Sequence, residues 1–176
     1  MLLLNFTKGE HSAILNEAFD HWNNITPHDM RITPLTALEA NVPFEERYIS
    51  DAYGLERLGL PKPVRPAPCI MSLITWQQHA ATLAYRERIQ KHLPQASISS
   101  THYMDKGGYM AWHTNQGESP EKPHRLYVTY NDVPGSLFRY IVANKRKVVT
   151  FKEPVGWYAK VFYVEDEFPH CLYANG

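Results

Sequence analysis

The chain has little of what marks several classes of protein. Of its 176 residues only two are cysteines, Cys69 and Cys171, and they stand 102 positions apart. Small secreted domains stapled by disulfides carry a denser, paired set, so two free thiols in a reducing compartment are expected. No charge of one sign is in excess, because 18 Lys+Arg balance 18 Asp+Glu. That balance offers no basic footprint for nucleic acid and no polybasic pull towards an anionic membrane. No uninterrupted apolar run exceeds four residues, far short of the roughly 20 that a spanning helix needs. Met1-Leu2-Leu3-Leu4 lacks both the charged start and the apolar length of a secretory signal. Together these absences predict a cytoplasmic chain with neither a membrane nor a clear nucleic-acid partner.

Apolar material is present in quantity, at 44% hydrophobic and 12% aromatic residues. That suffices for a sizeable core, and the length fits one domain, residues 1–176. The patterning divides it into a mainly helical support, residues 1–93, and a β-rich core, residues 94–176. In the first part Thr7-x-x-Glu10 has the form of a capping box. Leu15, Ala18, Phe19 and Trp22 then recur at helical spacing. Short helices are possible around Pro34–Ala40 and Phe44–Ile49. Pro61, Pro63, Pro66 and Pro68 give an extended surface connection. Ser72 is placed to cap a helix running to about His92, with Leu73, Trp76, Ala80 and Leu83 on its buried face.

From Ala96 the period changes to two. Ala96–Met104, Tyr109–His113, Arg125–Tyr130, Leu137–Val142, Val148–Phe151, Trp157–Val164 and Cys171–Tyr173 read as strands. Gly107-Gly108, Asp132-Val133-Pro134-Gly135 and Asn144-Lys145 punctuate them as turns. The basic triplet Lys145-Arg146-Lys147 reads as a solvated hairpin loop. The expected fold class is α+β, with helices outside a small antiparallel barrel or sandwich.

Nine histidines are spread along the chain. His11, His21, His28, His79 and His92 fall at polar positions or helix ends and are expected to be surface or boundary residues. His113 lies in Trp112-His113-Thr114-Asn115, where a strand runs out into a polar loop. Residues i and i+2 of a strand share a side, so His113 and Asn115 can address one point. His170 opens the last strand. Two imidazoles with an oxygen donor and open positions are the ligands of a facial Fe(II) site. On spacing alone, two partly buried strand-end histidines account for the pattern better than a metal site does.

A longer series adds context. Tyr103-Met104, Gly107-Gly108, Trp112-His113-Thr114-Asn115, Arg125-Leu126-Tyr127, Ser136-Leu137-Phe138-Arg139-Tyr140, Gly156-Trp157 and His170-Cys171-Leu172-Tyr173 follow one another in order. Over about residues 98–173 this series resembles a phage-type subgroup of the 2-oxoglutarate and Fe(II)-dependent oxygenases. The resemblance implies a double-stranded β-helix (a jelly-roll, cupin-like core) with supporting N-terminal helices. It implies Fe(II) held by His113, Asn115 and His170, with 2-oxoglutarate as small-molecule co-substrate. It also implies an oxidoreductase, a dioxygenase hydroxylating an unidentified substrate, in the host cytoplasm or in a virus particle if phage-encoded.

Two departures matter. Better-known members of that family place Asp or Glu where Asn115 stands, although Glu118 and Asp132 are near in sequence. The family's basic anchor for the distal carboxylate of 2-oxoglutarate, some positions beyond the second His, has no counterpart in the six residues after His170. The β-helix is then expected to lack its last strand. Arg125 and Arg139 are the candidate replacements, with Tyr103 and Tyr127 as further pocket residues. These departures motivate an alternative, a catalytically inactive oxygenase-like domain acting as a binding or structural virion component. Its open sheet edge would then be completed by a partner chain or a second copy.

Overall fold

The computed structural model describes residues 2–4, 10–24, 30–34, 42–58, 67–76, 80–94, 102–114, 124–163 and 168–175. In chain order the elements are β1 (Leu2–Leu4), α1 (Glu10–Asn24), β2 (Met30–Pro34), a 3-10 turn (Glu46–Ile49) and α2 (Asp51–Leu58). Then follow β3 (Cys69–Ile70), β4 (Ser72–Trp76), α3 (Ala80–His92), β5 (His102–Tyr103) and β6 (Tyr109–His113). The remainder is β7 (His124–Asn131), β8 (Leu137–Val142), a 3-10 turn (Ala143–Lys145), β9 (Lys147–Lys152), β10 (Gly156–Tyr163) and β11 (His170–Tyr173). Among the described residues no helix is long and apolar enough to cross a membrane.

The period-two pattern of the second half is expressed almost as written. Its strands from β6 on, joined by β1 and β3 of the first half, pair antiparallel into a five-stranded sheet of order β3-β6-β11-β8-β9 and a three-stranded sheet β1-β10-β7. Of the expected strand Ala96–Met104, residues 96–101 lie outside the described residues and His102–Tyr103 joins a third sheet. Rings from the two sheets meet, Tyr127 edge to face with Phe138 and Phe162 tilted against it. Tyr127 on β7 and Phe162 on β10 lie 6.3 and 5.6 Å from Phe138 on β8, centroid to centroid. The sheets therefore stack face to face as a mixed α/β chain with antiparallel pairing, the coarse form of the expected class.

The first half departs further from expectation. Ser72–Trp76 is a strand and not the start of a helix, which begins only at Ala80. Ile74 and Thr75 are β-branched and stiff at χ1. The segment pairs with β2 on one side and β5 on the other, a third sheet of order β2-β4-β5. Leu83, expected on a buried face, is exposed. On α1 the buried residues are Ile14 and Ala18, while Phe19 is exposed, so its inward face is turned from the expected one. There His21 stacks on Tyr85 of α3 at 4.0 Å, and Arg88 pairs with Glu17. α2 was not expected from the sequence. Pro34–Ala40 beyond Pro34, and the prolines 61, 63 and 66, lie outside the described residues.

The outer face of the five-stranded sheet carries the principal core. Trp112, Ile141 and Cys171 pack with Ile49, while Tyr109 and Ala111 pack with Tyr48 and Ala67. Side-chain donors are satisfied by the helical layer: Trp112 Nε1 donates to the Ser50 carbonyl at 2.9 Å and Tyr109 Oη to that of Val42 at 2.9 Å. α2 approaches so closely that a Cβ on Gly54 would stand 2.5 Å from Trp112 Cε2. Trp112 is fully buried and cannot yield. Gly54→Ala is therefore expected to destabilise by about 1–3 kcal/mol through overpacking, although alanine is the better helix former. A urea midpoint that rises in this variant would refute the close approach.

Candidate functional site

Alternation alone would put His113 on the same face as Tyr109 and Ala111. A β-bulge prevents this. His170 pairs with His113 and Leu172 with Met110, so β6 uses three steps where β11 uses two. The extra residue lets Ala111 and Trp112 both face the helical layer and turns His113 inward beside His170. The two rings, on adjacent strands at directly paired positions, lie 4.2 Å apart with planes inclined at 54°. Both are buried, at 3% and 0% exposure.

Their hydrogen bonds fix which nitrogen faces the chamber. His113 Nδ1 is 2.8 Å from the Ala111 carbonyl, and His170 Nδ1 is 2.9 Å from that of Phe168. A carbonyl only accepts, so each Nδ1 carries the hydrogen and each neutral ring keeps its lone pair on Nε2. This backbone-held tautomer is the arrangement that orients a metal-ligating imidazole. Among the described residues no third His, Cys, Asp or Glu joins the pair. Asn115, the expected oxygen donor, lies outside the described residues, as does Glu118, and Asp132 is exposed in the turn after β7.

The surroundings of the pair are aromatic. Phe138, Phe162, Phe168 and Tyr127 lie 5.4, 5.5, 5.7 and 6.4 Å from the His170 ring. Tyr127 thus stands beside His170 and packs on Phe162 at 4.8 Å. Arg125 pairs with Phe162 across β7 and β10, sharing the inward face half-buried, and its Nη1 donates to the His124 carbonyl at 3.4 Å. Arg139 is not brought to the pair. It pairs with Cys171, whose side chain points away from that of His170, and it donates to the Ile49 carbonyl at 2.5 Å beside Asp51. Tyr103 sits on β5 in the third sheet, 37% exposed, with its hydroxyl on Asp105 at 2.8 Å.

One pair of residues escaped the sequence reading. Lys160 on β10 is fully buried, ion-paired with Glu153, and its ammonium lies 4.2 Å from the centre of the Phe138 ring. Burial pulls that ammonium down from its ordinary pKa, and the Glu153 carboxylate works against the shift. The signal was available in Trp157-Tyr158-Ala159-Lys160-Val161-Phe162, where a lysine alternates in step with two inward aromatics.

No family model matches the chain, and the comparison finds no similar curated protein and no similar solved structure.

Cys171 lies directly behind His170, fully buried, and burial pushes its thiol well above the ordinary range. Cys69 is buried too. Neither thiolate is available to a thiol reagent in the folded protein. Native protein at pH 8 is expected to react with well under one equivalent of an aromatic disulfide reagent, against two when unfolded in guanidinium. Rapid stoichiometric labelling of the native protein would contradict this packing.

Proposed function

We propose that this chain is an Fe(II)- and 2-oxoglutarate-dependent dioxygenase that hydroxylates a C–H bond of its substrate. The observation that carries the reading is the paired, buried His113 and His170, each with Nδ1 donating to a backbone carbonyl so that Nε2 is the nitrogen without a hydrogen. In this proposal Asn115, two residues after His113 in the sequence, supplies the oxygen donor. The stacked antiparallel sheets, with the two histidine strands as neighbours, are compatible with the double-stranded β-helix that the ordered motifs imply.

The donor set suits the ion. Two imidazoles and an oxygen leave positions open for co-substrate and oxygen, the facial arrangement of non-haem Fe(II). When bound, iron and 2-oxoglutarate would supply the oxidising equivalents, with the co-substrate leaving as succinate and carbon dioxide. The chain's own part is positioning and exclusion of water. The carbonyls of Ala111 and Phe168 hold the imidazoles in one tautomer. The rings of Phe138, Phe162, Phe168 and Tyr127 keep the surroundings of His170 apolar.

Anaerobic titration of metal-free protein with Fe(II), then 2-oxoglutarate, followed by visible absorbance, tests this reading. A charge-transfer band requiring both components is expected. His113→Ala and His170→Ala should each lose iron affinity by more than the roughly 100-fold that loss of an outer-shell partner costs. Wild-type protein that takes up no iron would overturn the proposal and favour the inactive binding or structural domain.

A further inference from the structure

Among the described residues, Lys160 and Glu153 are the buried members of the Lys, Arg, Asp and Glu set, and they face each other as an ion pair. Three rings surround the ammonium, with centroids at 4.2 Å for Phe138, 5.4 Å for Tyr158 and 5.6 Å for Tyr127. For stability alone such a pair is a poor choice. Replacing a buried ion pair by apolar residues of like volume is often neutral or stabilising, because desolvation of both charges offsets their attraction. The same penalty gives the pair a chemical outlet. Condensing the ammonium and the carboxylate into one amide removes both charges from the apolar enclosure and leaves a neutral group.

Both partners are held where bond formation needs them. Lys160 is an inward residue of β10, paired with Tyr127. Glu153 stands between β9 of the five-stranded sheet and β10 of the three-stranded one. Its backbone N–H donates to the Ser136 carbonyl at 2.9 Å, and the Pro154 carbonyl that follows accepts from Asn131 Nδ2 at 3.1 Å. The corner is thus pinned on both sides of Glu153, and a fixed backbone delivers the carboxylate to the ammonium. Groups oriented in this way react at effective concentrations that reach about 10⁵–10⁸ M. A third group completes the set. Tyr158 lies two residues before Lys160 on the same face of β10, its hydroxyl buried and without a hydrogen bond beside the Glu153 carboxylate. Burial, and then the Glu153 charge, raise the pKa of that hydroxyl, so it keeps its proton. Burial pulls the Lys160 ammonium the other way, towards the neutral amine that a nucleophile must be.

We propose that Lys160 and Glu153 join in an intramolecular amide, a covalent tie between the β9 end of one sheet and β10 of the other, formed by the folded chain itself with Tyr158 carrying the proton. The ammonium first passes a proton to the carboxylate, giving an amine and a carboxylic acid. Lys160 Nζ then attacks Glu153 Cδ, and a C–N bond forms as a C–O bond breaks. The departing oxygen takes the Tyr158 proton and leaves as water, and Tyr158 recovers a proton from the nitrogen. Nothing is oxidised or reduced, so the step needs no co-reactant, and it is independent of the iron reading of His113 and His170. The rings of Phe138, Tyr127 and Tyr158 hinder the return of water, so the amide persists once formed.

Intact-mass spectrometry of the full chain, purified folded and then denatured, tests the tie. Wild type is expected to be one water lighter than its sequence. Trypsin needs a free lysine, so it should pass over Lys160 and release residues 153–176 as one peptide lacking the same water. Lys160→Met should have its full mass. Tyr158→Phe, which keeps the ring, should slow the appearance of the lighter form by about 100-fold or more in protein refolded from guanidinium. Should Lys160→Met fail to fold, wild-type chain collected in guanidinium before it has folded serves as the unlinked reference. Wild type that keeps its full mass after a day in the folded state, or that is cleaved after Lys160, overturns the proposal. A water loss that persists in Lys160→Met or in never-folded chain overturns it as well. Linking of Tyr158→Phe at the wild-type rate overturns the part given to Tyr158.

Discussion

One extra residue in β6 governs how this molecule is organised. Strict alternation along Tyr109–His113 would bury Tyr109, Ala111 and His113 together and send Trp112 the other way. The bulge opposite Cys171 breaks that parity, and the consequences run through both faces of the sheet. On one face Trp112 joins Ile49, Ile141 and Cys171 beneath the helical layer. On the other His113 meets His170. The large indole and the imidazole each gain a suitable environment only because neighbouring residues were rotated apart. Register is then pinned from both sides, since a slip would drive Trp112 into the chamber and the histidine into the apolar core.

The electrostatic character of the chamber follows from its lining. Rings of Phe138, Phe162, Phe168 and Tyr127 lower the local polarity, so each charged or polar group inside interacts more strongly than it would in water. Backbone carbonyls settle the histidine tautomers without introducing charge. Near these rings lies a charge pair, Lys160 with Glu153, whose ammonium stands 4.2 Å from the centre of the Phe138 ring, a quadrupole that favours the cation.

Much of the second half was legible in the sequence because strands that are half buried advertise their period. Leu137–Val142 was bounded as it folds, and β6, β7, β9, β10 and β11 were placed to within a residue or so where they are described. The histidine pair was also legible, since strand ends beside polar loops are where side chains converge. The first half was harder. Leu73, Trp76, Ala80 and Leu83 have helical spacing, yet the first two belong to a strand whose partners, β2 and β5, are distant in sequence. Five residues with two β-branched members obey the ladder, and no window of that length distinguishes the two periods. The role of Arg139 was misjudged because a strand pattern gives alternation but not which face is inward. Lys160 went unremarked because alternation along a strand does not mark which charged residue is buried, and its partner Glu153 precedes the strand.

The bulge also sets rules for how this segment can change length. In a regular strand with one solvated face, a single-residue insertion or deletion exchanges inside for outside and is partly absorbed by the nearer loop. In β6 no face is solvated, and Tyr109, Ala111, Trp112 and His113 are all buried. Losing one residue would restore alternation and deliver the imidazole to the wrong layer, while gaining one would do the same from the other direction. Drift in this stretch is therefore confined to exchanges of side chain at fixed length.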